Sequence, residues 1–172
     1  MRYEDDKKRK NAEGQRSERN LGENAPMPSS SRWEPALYCR LETKLGVSPL
    51  RTERDLARMV ERCLPLTSLE SLTSHGMSEA EIYSLIVPRR TLARRRTRQE
   101  TLTADESDRA VRIARILGLA EEVFGDDAKA ARWLRKAKVR FEGRAPHGLL
   151  RTEAGGRLVE EMLLQIDHGF VA

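Results

Sequence analysis

The sequence predicts an all-α protein, and three observations carry that prediction. Aromatic residues make up only 5% of the 172-residue chain, so a core has to be assembled from Leu, Ile, Val, Ala and Met, which suits packed helices. Apolar residues recur three and four positions apart, while no segment alternates with period two for long enough to make a strand. Ser or Thr followed three residues later by Glu, the pattern of a capping box, opens a helical stretch at Thr67, Ser78 and Thr103.

The elements follow in order. Residues 1–34 mix charge, Ser, Asn, Gly and Pro with almost no apolar periodicity and end in PMPSSSRWEP, so they are expected to be disordered. Leu37, Leu41 and Leu45 form a short helical stripe stopped by Gly46. A second helix is expected from Thr52 to Leu64, with Leu56, Met59, Val60, Cys63 and Leu64 on its apolar face and Pro65 as its stop. The Thr67–Glu70 pattern opens a third helix, ending near Gly76. Ser78 with Glu81 caps a fourth, SEAEIYSLI, with Met77 and Ile82 at the staple positions. Val87-Pro88 interrupts, and Pro88 suits the first position of a fifth helix, RRTLARRRTR. Thr103 to Glu106 opens a long helix through Phe124, with Ala110, Ile113, Leu117, Ala120 and Phe124 on one face. That stripe is expected to form core with the last helix and part of a homodimer face. A helix carrying Ala128, Ala131, Trp133 and Leu134 comes next, residues 138–151 read as irregular, and a last helix runs from Thr152 to Ile166.

Composition excludes several function classes. Hydrophobic residues at 38% are too many for full disorder, and no stretch approaches the ~20 apolar residues of a membrane span. The start MRYEDDKKRKNAEGQRSERN has no apolar signal core, so a cytoplasmic protein is expected. Cys39 and Cys63 lack metal-ligand spacing and read as buried thiols, and His75, His147 and His168 stand far apart. There is no glycine-rich phosphate loop, so no metal and no cofactor are expected. The carboxylate pairs Glu121-Glu122, Asp126-Asp127 and Glu160-Glu161 are adjacent in sequence and point to different sides of a helix. Ser107 lies at a helix start, where a hydroxyl reads as structural, so no enzyme is expected.

The net charge of +5 is local. Residues 89–98 hold six Arg and no acid, more than the net charge of the whole chain. A short helix, a tight break and an Arg-rich second helix is the layout of a helix-turn-helix, whose second helix enters the major groove. Guanidinium groups suit that position because they bind phosphates and the O6/N7 edge of guanine. Arg89, Arg90, Thr91, Arg94, Arg95 and Arg96 are therefore the candidate DNA contacts, with Leu92 anchoring the helix and the stem of Arg95 available to help.

Three blocks together, GMSEAEIYSLIVPRRTLARRR, LTADESDRAVRIARILGLAEEVFGDDAKAARWL and TEAGGRLVEEMLLQIDHGF, resemble the Xre/MbcA/ParS-type antitoxins paired with RES-domain toxins. The likeness covers about residues 45–172. It implies an Xre-like helix-turn-helix domain over 35–101 that binds the operator of its own operon, and a small helical toxin-binding domain over 102–172. The partners it implies are operator DNA, to which the chain would bring it onto the nucleoid, and a cognate toxin that consumes NAD, in a higher-order complex with a homodimer of this chain. It also implies that Asp167, His168, Gly169, Phe170, Val171 and Ala172 reach the toxin's catalytic cleft, supported by the helix bearing Leu158, Glu161 and Met162. By themselves the last residues fit a frayed terminus with Phe170 folded back better than a cleft-filling tail. A stand-alone dimeric repressor with no toxin is the alternative reading of the same helices. Gly155-Gly156 lowers helix propensity at the start of the last helix by up to ~1 kcal/mol.

Overall fold

The computed structural model describes residues 34–169. The expectation of disorder therefore falls outside the described residues except at Glu34, and Phe170, Val171 and Ala172 also lie outside them. The helices are α1 (Glu34–Leu45), α2 (Glu53–Glu61), α3 (Thr67–Ser74), α4 (Glu79–Leu85), α5 (Arg89–Arg98), α6 (Ala104–Phe124), α7 (Asp127–Arg135), α8 (Pro146–Leu149) and α9 (Glu153–Asp167). Among the described residues a 3-10 turn spans Val139–Phe141. Among the described residues there is no strand, and the only β-type pairing is one isolated antiparallel bridge between Lys138 and Arg144.

The 21-residue α6 is the axis of the fold, with α1, α2, α7 and α9 packed around it. Ala110, Ile113 and Ala120 are buried as the periodicity requires, whereas Leu117 and Phe124 are only half-buried. Val111, Ala114, Ile116 and Leu119 are buried as well, because α6 is covered from more than one side. Leu41 and Leu45 of α1, Leu72 of α3, and Val159 and Leu163 of α9 belong to the same core. Charge reinforces the α1 contact. Lys44, itself buried, reaches Glu121 at 2.9 Å and Asp127 at 3.2 Å, and Arg40 pairs with Glu121 at 2.8 Å and with Glu122. Burial pushes the Glu121 carboxyl up, but Lys44 and Arg40 outweigh it and hold the group below the usual carboxylate range.

Local chemistry sets most of the boundaries. Capping boxes at Ser78–Glu81 and Thr103–Glu106 start α4 and α6, and Thr52–Asp55 does the same for α2. Thr67, in contrast, is the first helical residue of α3 rather than its cap. The carbonyls of Pro65 and Leu66 accept from Ser68 and Leu69 at 3.1 and 3.0 Å, so the backbone supplies the acceptors and no side-chain cap forms. Pro88 occupies the cap position of α5, one residue before the helix proper. Helix α2 ends at Glu61, short of the expected Leu64, because Cys63 turns the chain with φ +63°. Cys39 is exposed and Cys63 half-buried, so neither is the buried thiol expected from composition.

The two glycines that weaken the start of α9 have a packing reason. A Cβ on Gly155 would lie 2.1 Å from the Leu149 carbonyl oxygen, and one on Gly156 would lie 3.2 Å from Cδ of Arg112. Glycine allows α9 to begin directly beneath α8, and the Thr152 hydroxyl caps it by accepting from the Gly155 amide at 3.1 Å.

Candidate functional site

Helices α4 and α5 meet through a turn buried in the domain. Ile86 and Val87 are fully covered, and both amides donate to the Ile82 carbonyl, at 3.0 and 3.2 Å. Arg109, one turn into α6, donates to the Ile86 carbonyl at 2.9 Å. The angle between the two helices is thus held by core packing and by a cation on the central helix. Deeper in, Ser107 is buried and its hydroxyl accepts from the Leu64 amide at 2.8 Å, which makes it a structural residue.

Helix α5 has an anchored side and an open side. Leu92 is buried. Arg95 is only 8% exposed, and its guanidinium reaches Glu106 at 3.1 Å and donates to the Thr101 carbonyl. Glu106 also accepts from the Thr103 amide at 2.8 Å, so one carboxylate caps α6 and holds α5 onto it. Arg95 is therefore removed from the set of candidate phosphate contacts, since its charge is neutralised inside the fold. Arg89, Arg90 and Arg94 are exposed and, among the described residues, have no acidic partner. Thr91 is half-buried beside them. Arg96 is exposed and stands 3.9 Å from Glu70, a long surface pair that water and salt screen.

The second candidate surface lies on α9. Val159 and Leu163 face α6 and are fully buried. Met162 is also withdrawn into the core at 7% exposure, so it supports α9 from beneath and offers no side chain to a partner. Leu158 points outward at 51% exposure. Glu161 is exposed and accepts from Gln165 at 3.0 Å. Asp167, His168 and Gly169 are exposed at the end of α9. A groove of about 550 Å³ runs between α2, α6 and α9, with Leu56, Val60 and Ile116 on its walls. Its arginines are paired: Arg112 with Asp108 at 3.5 Å, Arg115 with Glu53, and Arg157 with Glu153. Among the described residues no three His, Cys, Asp or Glu side chains group to hold a metal, and no helix is long and apolar enough to cross a membrane.

Comparison with known proteins matches two domains along the chain. Residues 55–115 match the family described as the antitoxin Xre-like helix-turn-helix domain, which spans α4, the buried turn and α5. Residues 119–169 match the antitoxin Xre/MbcA/ParS C-terminal toxin-binding domain, which contains α9. Antitoxin Xre of Pseudomonas putida is 41% identical over 131 residues, covering 76% of this chain and 82% of that protein. The chain belongs to the Xre family of antitoxins. Antitoxin Xre proteins of Yersinia enterocolitica and Photorhabdus laumondii are 36% and 34% identical over 84 residues, each match covering 48% of this chain and 57% of the relative. The family likeness read from the three sequence blocks is thereby confirmed, with a helix-turn-helix domain followed by a toxin-binding domain.

Three supports of the Xre fold escaped sequence reasoning: Arg109 on the α4–α5 turn, Glu106 on Arg95, and a bidentate bridge from Arg135 to Glu81. The first and last join residues 23 and 54 positions apart. No local pattern signals them.

Proposed function

We propose that this antitoxin binds and silences a RES-domain toxin that consumes NAD, and represses its own operon by laying α5 in the major groove of operator DNA. The observation that carries the DNA half is the set Arg89, Arg90 and Arg94, exposed and unpaired among the described residues, on a helix whose anchors Leu92 and Arg95 are buried. Thr91 and Arg96 flank that set. Guanidinium groups so placed suit phosphates and guanine edges. The toxin half is supported by the match of residues 119–169 to a toxin-binding domain and by the exposed Leu158 and Glu161 on α9.

We assign Asp167, His168 and Gly169, continuing into Phe170, Val171 and Ala172, to the toxin's catalytic cleft. The helix-turn-helix before Leu102 enters the operator's major groove, and the toxin contact lies after Leu102. Two copies on a palindromic operator match the two-fold logic of helix-turn-helix proteins, so we assign a homodimer. It acts in the prokaryotic cytoplasm, on the nucleoid when operator-bound. The test is co-expression with the product of a neighbouring RES reading frame. The full chain restores growth and co-purifies with the toxin. A chain lacking residues 168–172 keeps its helical content and DNA binding but releases the toxin, with Phe170→Ala as a weaker version. Full protection by the shortened chain would move inhibition to the helix faces and overturn the cleft assignment.

A further inference from the structure

Helix α7 ends at Arg135, and that side chain fixes where the following loop lies. Its Nε and Nη2 donate to the two carboxylate oxygens of Glu81, both at 2.9 Å, and Nη2 also donates to the Gly76 carbonyl at 2.6 Å. Glu81 sits in the first turn of α4, so the loop after Arg135 starts beside the N-terminal end of the first helix of the helix-turn-helix. That helix crosses the phosphate backbone when the second enters the groove. Without Arg135 this corner would be acidic, through Glu79 and Glu81. Burial pushes Glu81 up, but Arg135 and the Ser78 cap outweigh it and hold its carboxyl at about 2. The bidentate bridge cancels that negative charge where a phosphate would approach.

The loop itself is preformed. The Lys138 amide donates to the Arg144 carbonyl at 3.0 Å, and the Gly143 amide donates back to the Lys138 carbonyl at 2.9 Å. Glu142 and Gly143 close the turn with φ of +55° and +78°, and Phe141 is buried beneath it. Residues 129–144 contain seven basic residues against a single acid, Glu142, which stands 3.5 Å from Arg144. Lys136 and Arg140 are exposed and have no acidic partner among the described residues. Lys138 stacks its ammonium 4.8 Å over the Trp133 ring, and burial together with repulsion from Lys136 holds it below its ordinary lysine value. A bound anion would relieve that repulsion.

We propose that residues 136–140 form a second DNA contact, a phosphate-backbone clamp built by the toxin-binding half of the chain and extending the footprint of α5. The proposal rests on the helix-turn-helix reading of α4 and α5. Lysine and arginine at a rigid loop tip position the protein on the duplex without reading its sequence. Val139, 97% exposed at that tip, has no role toward phosphate and serves as the control.

The experiment titrates the full chain against a labelled 30-base-pair duplex of random sequence, by fluorescence anisotropy over a series of KCl concentrations. Lys136→Ala/Arg140→Ala is expected to lower the slope of log K against log salt by about 0.9 for each phosphate no longer neutralised, with helical content unchanged. Lys136→Arg/Arg140→Lys restores the slope, and Val139→Ser leaves it as in the parent. The arm Arg90→Ala/Arg94→Ala separates the two readings. If only that variant changes the slope, the clamp is overturned and the groove helix stands. If only the loop variant changes it, the clamp stands and the assignment of α5 fails. A loop variant that binds the duplex like the parent but no longer captures the toxin gives the loop to the toxin and overturns the proposal.

Discussion

Helices α5 and α9 are fastened to the same central helix but present opposite chemistry. On α5 the large apolar residue Leu92 is buried and Arg95 is neutralised by Glu106, while Arg89, Arg90 and Arg94 stay exposed and unpaired among the described residues. On α9 Arg157 pairs with Glu153 and Glu161 accepts from Gln165, Glu160 and Asp167 have no basic partner among the described residues, and the hydrocarbon of Leu158 is left in water. One helix reserves positive charge, and the other reserves apolar surface beside acidic groups. The first suits a polyanion whose attraction survives in water. The second suits a folded protein that gains from covering hydrocarbon. Where each fold anchor sits decides what remains for a partner.

The largest expected effect breaks the α5 side of this comparison. Glu106→Ala leaves Arg95 buried without its carboxylate and removes the α6 capping box, at a cost of about 3–5 kcal/mol in urea unfolding. A loss within 0.5 kcal/mol would show that Arg95 is solvated in the native protein. The α9 side is tested by Gly155→Ala. A Cβ 2.1 Å from the Leu149 carbonyl forces α8 and α9 apart, and overpacking of this kind costs roughly 1–3 kcal/mol. Its toxin capture should fall with stability, whereas duplex binding, which depends on α5, is retained below the melting temperature. The smallest stability effect is expected for Leu158→Asp. Changing a half-exposed residue should stay within about 0.5 kcal/mol, yet toxin co-purification should disappear. Retained capture with an Asp at that position would detach α9's outer face from the toxin contact.

The parts legible in sequence were those set within a few residues. The Ser78–Glu81 cap, the Val87-Pro88 break and the Arg run that follows are all local, and the α4–α5 unit forms where they place it. On α9 the periodicity offers two neighbouring stripes, Leu158–Met162–Ile166 and Val159–Leu163, and nothing local tells which one faces α6. The structure buries Val159, Met162 and Leu163 and leaves Leu158 out, because the inner line is set by where α6 passes. Arg95 illustrates the same limit. Six arginines look alike in a run, and only the fold of the following eleven residues brings Glu106 to one of them. The Gly155-Gly156 pair looks like a weak helix start until the Leu149 carbonyl is placed above it.

On the proposed function, the exposed arginines of α5 bind DNA independently of the surface that binds the toxin. That independence is tested most directly by titrating Arg90→Ala/Arg94→Ala against a duplex carrying the antitoxin's own promoter over a series of salt concentrations, with toxin capture by the same preparation as the internal standard. The expected result is weaker DNA binding, a slope of log K against log salt lower by roughly 0.9 for each phosphate the variant no longer neutralises, and unchanged toxin capture. An unchanged slope, or a slope and toxin capture that fall together, would contradict it.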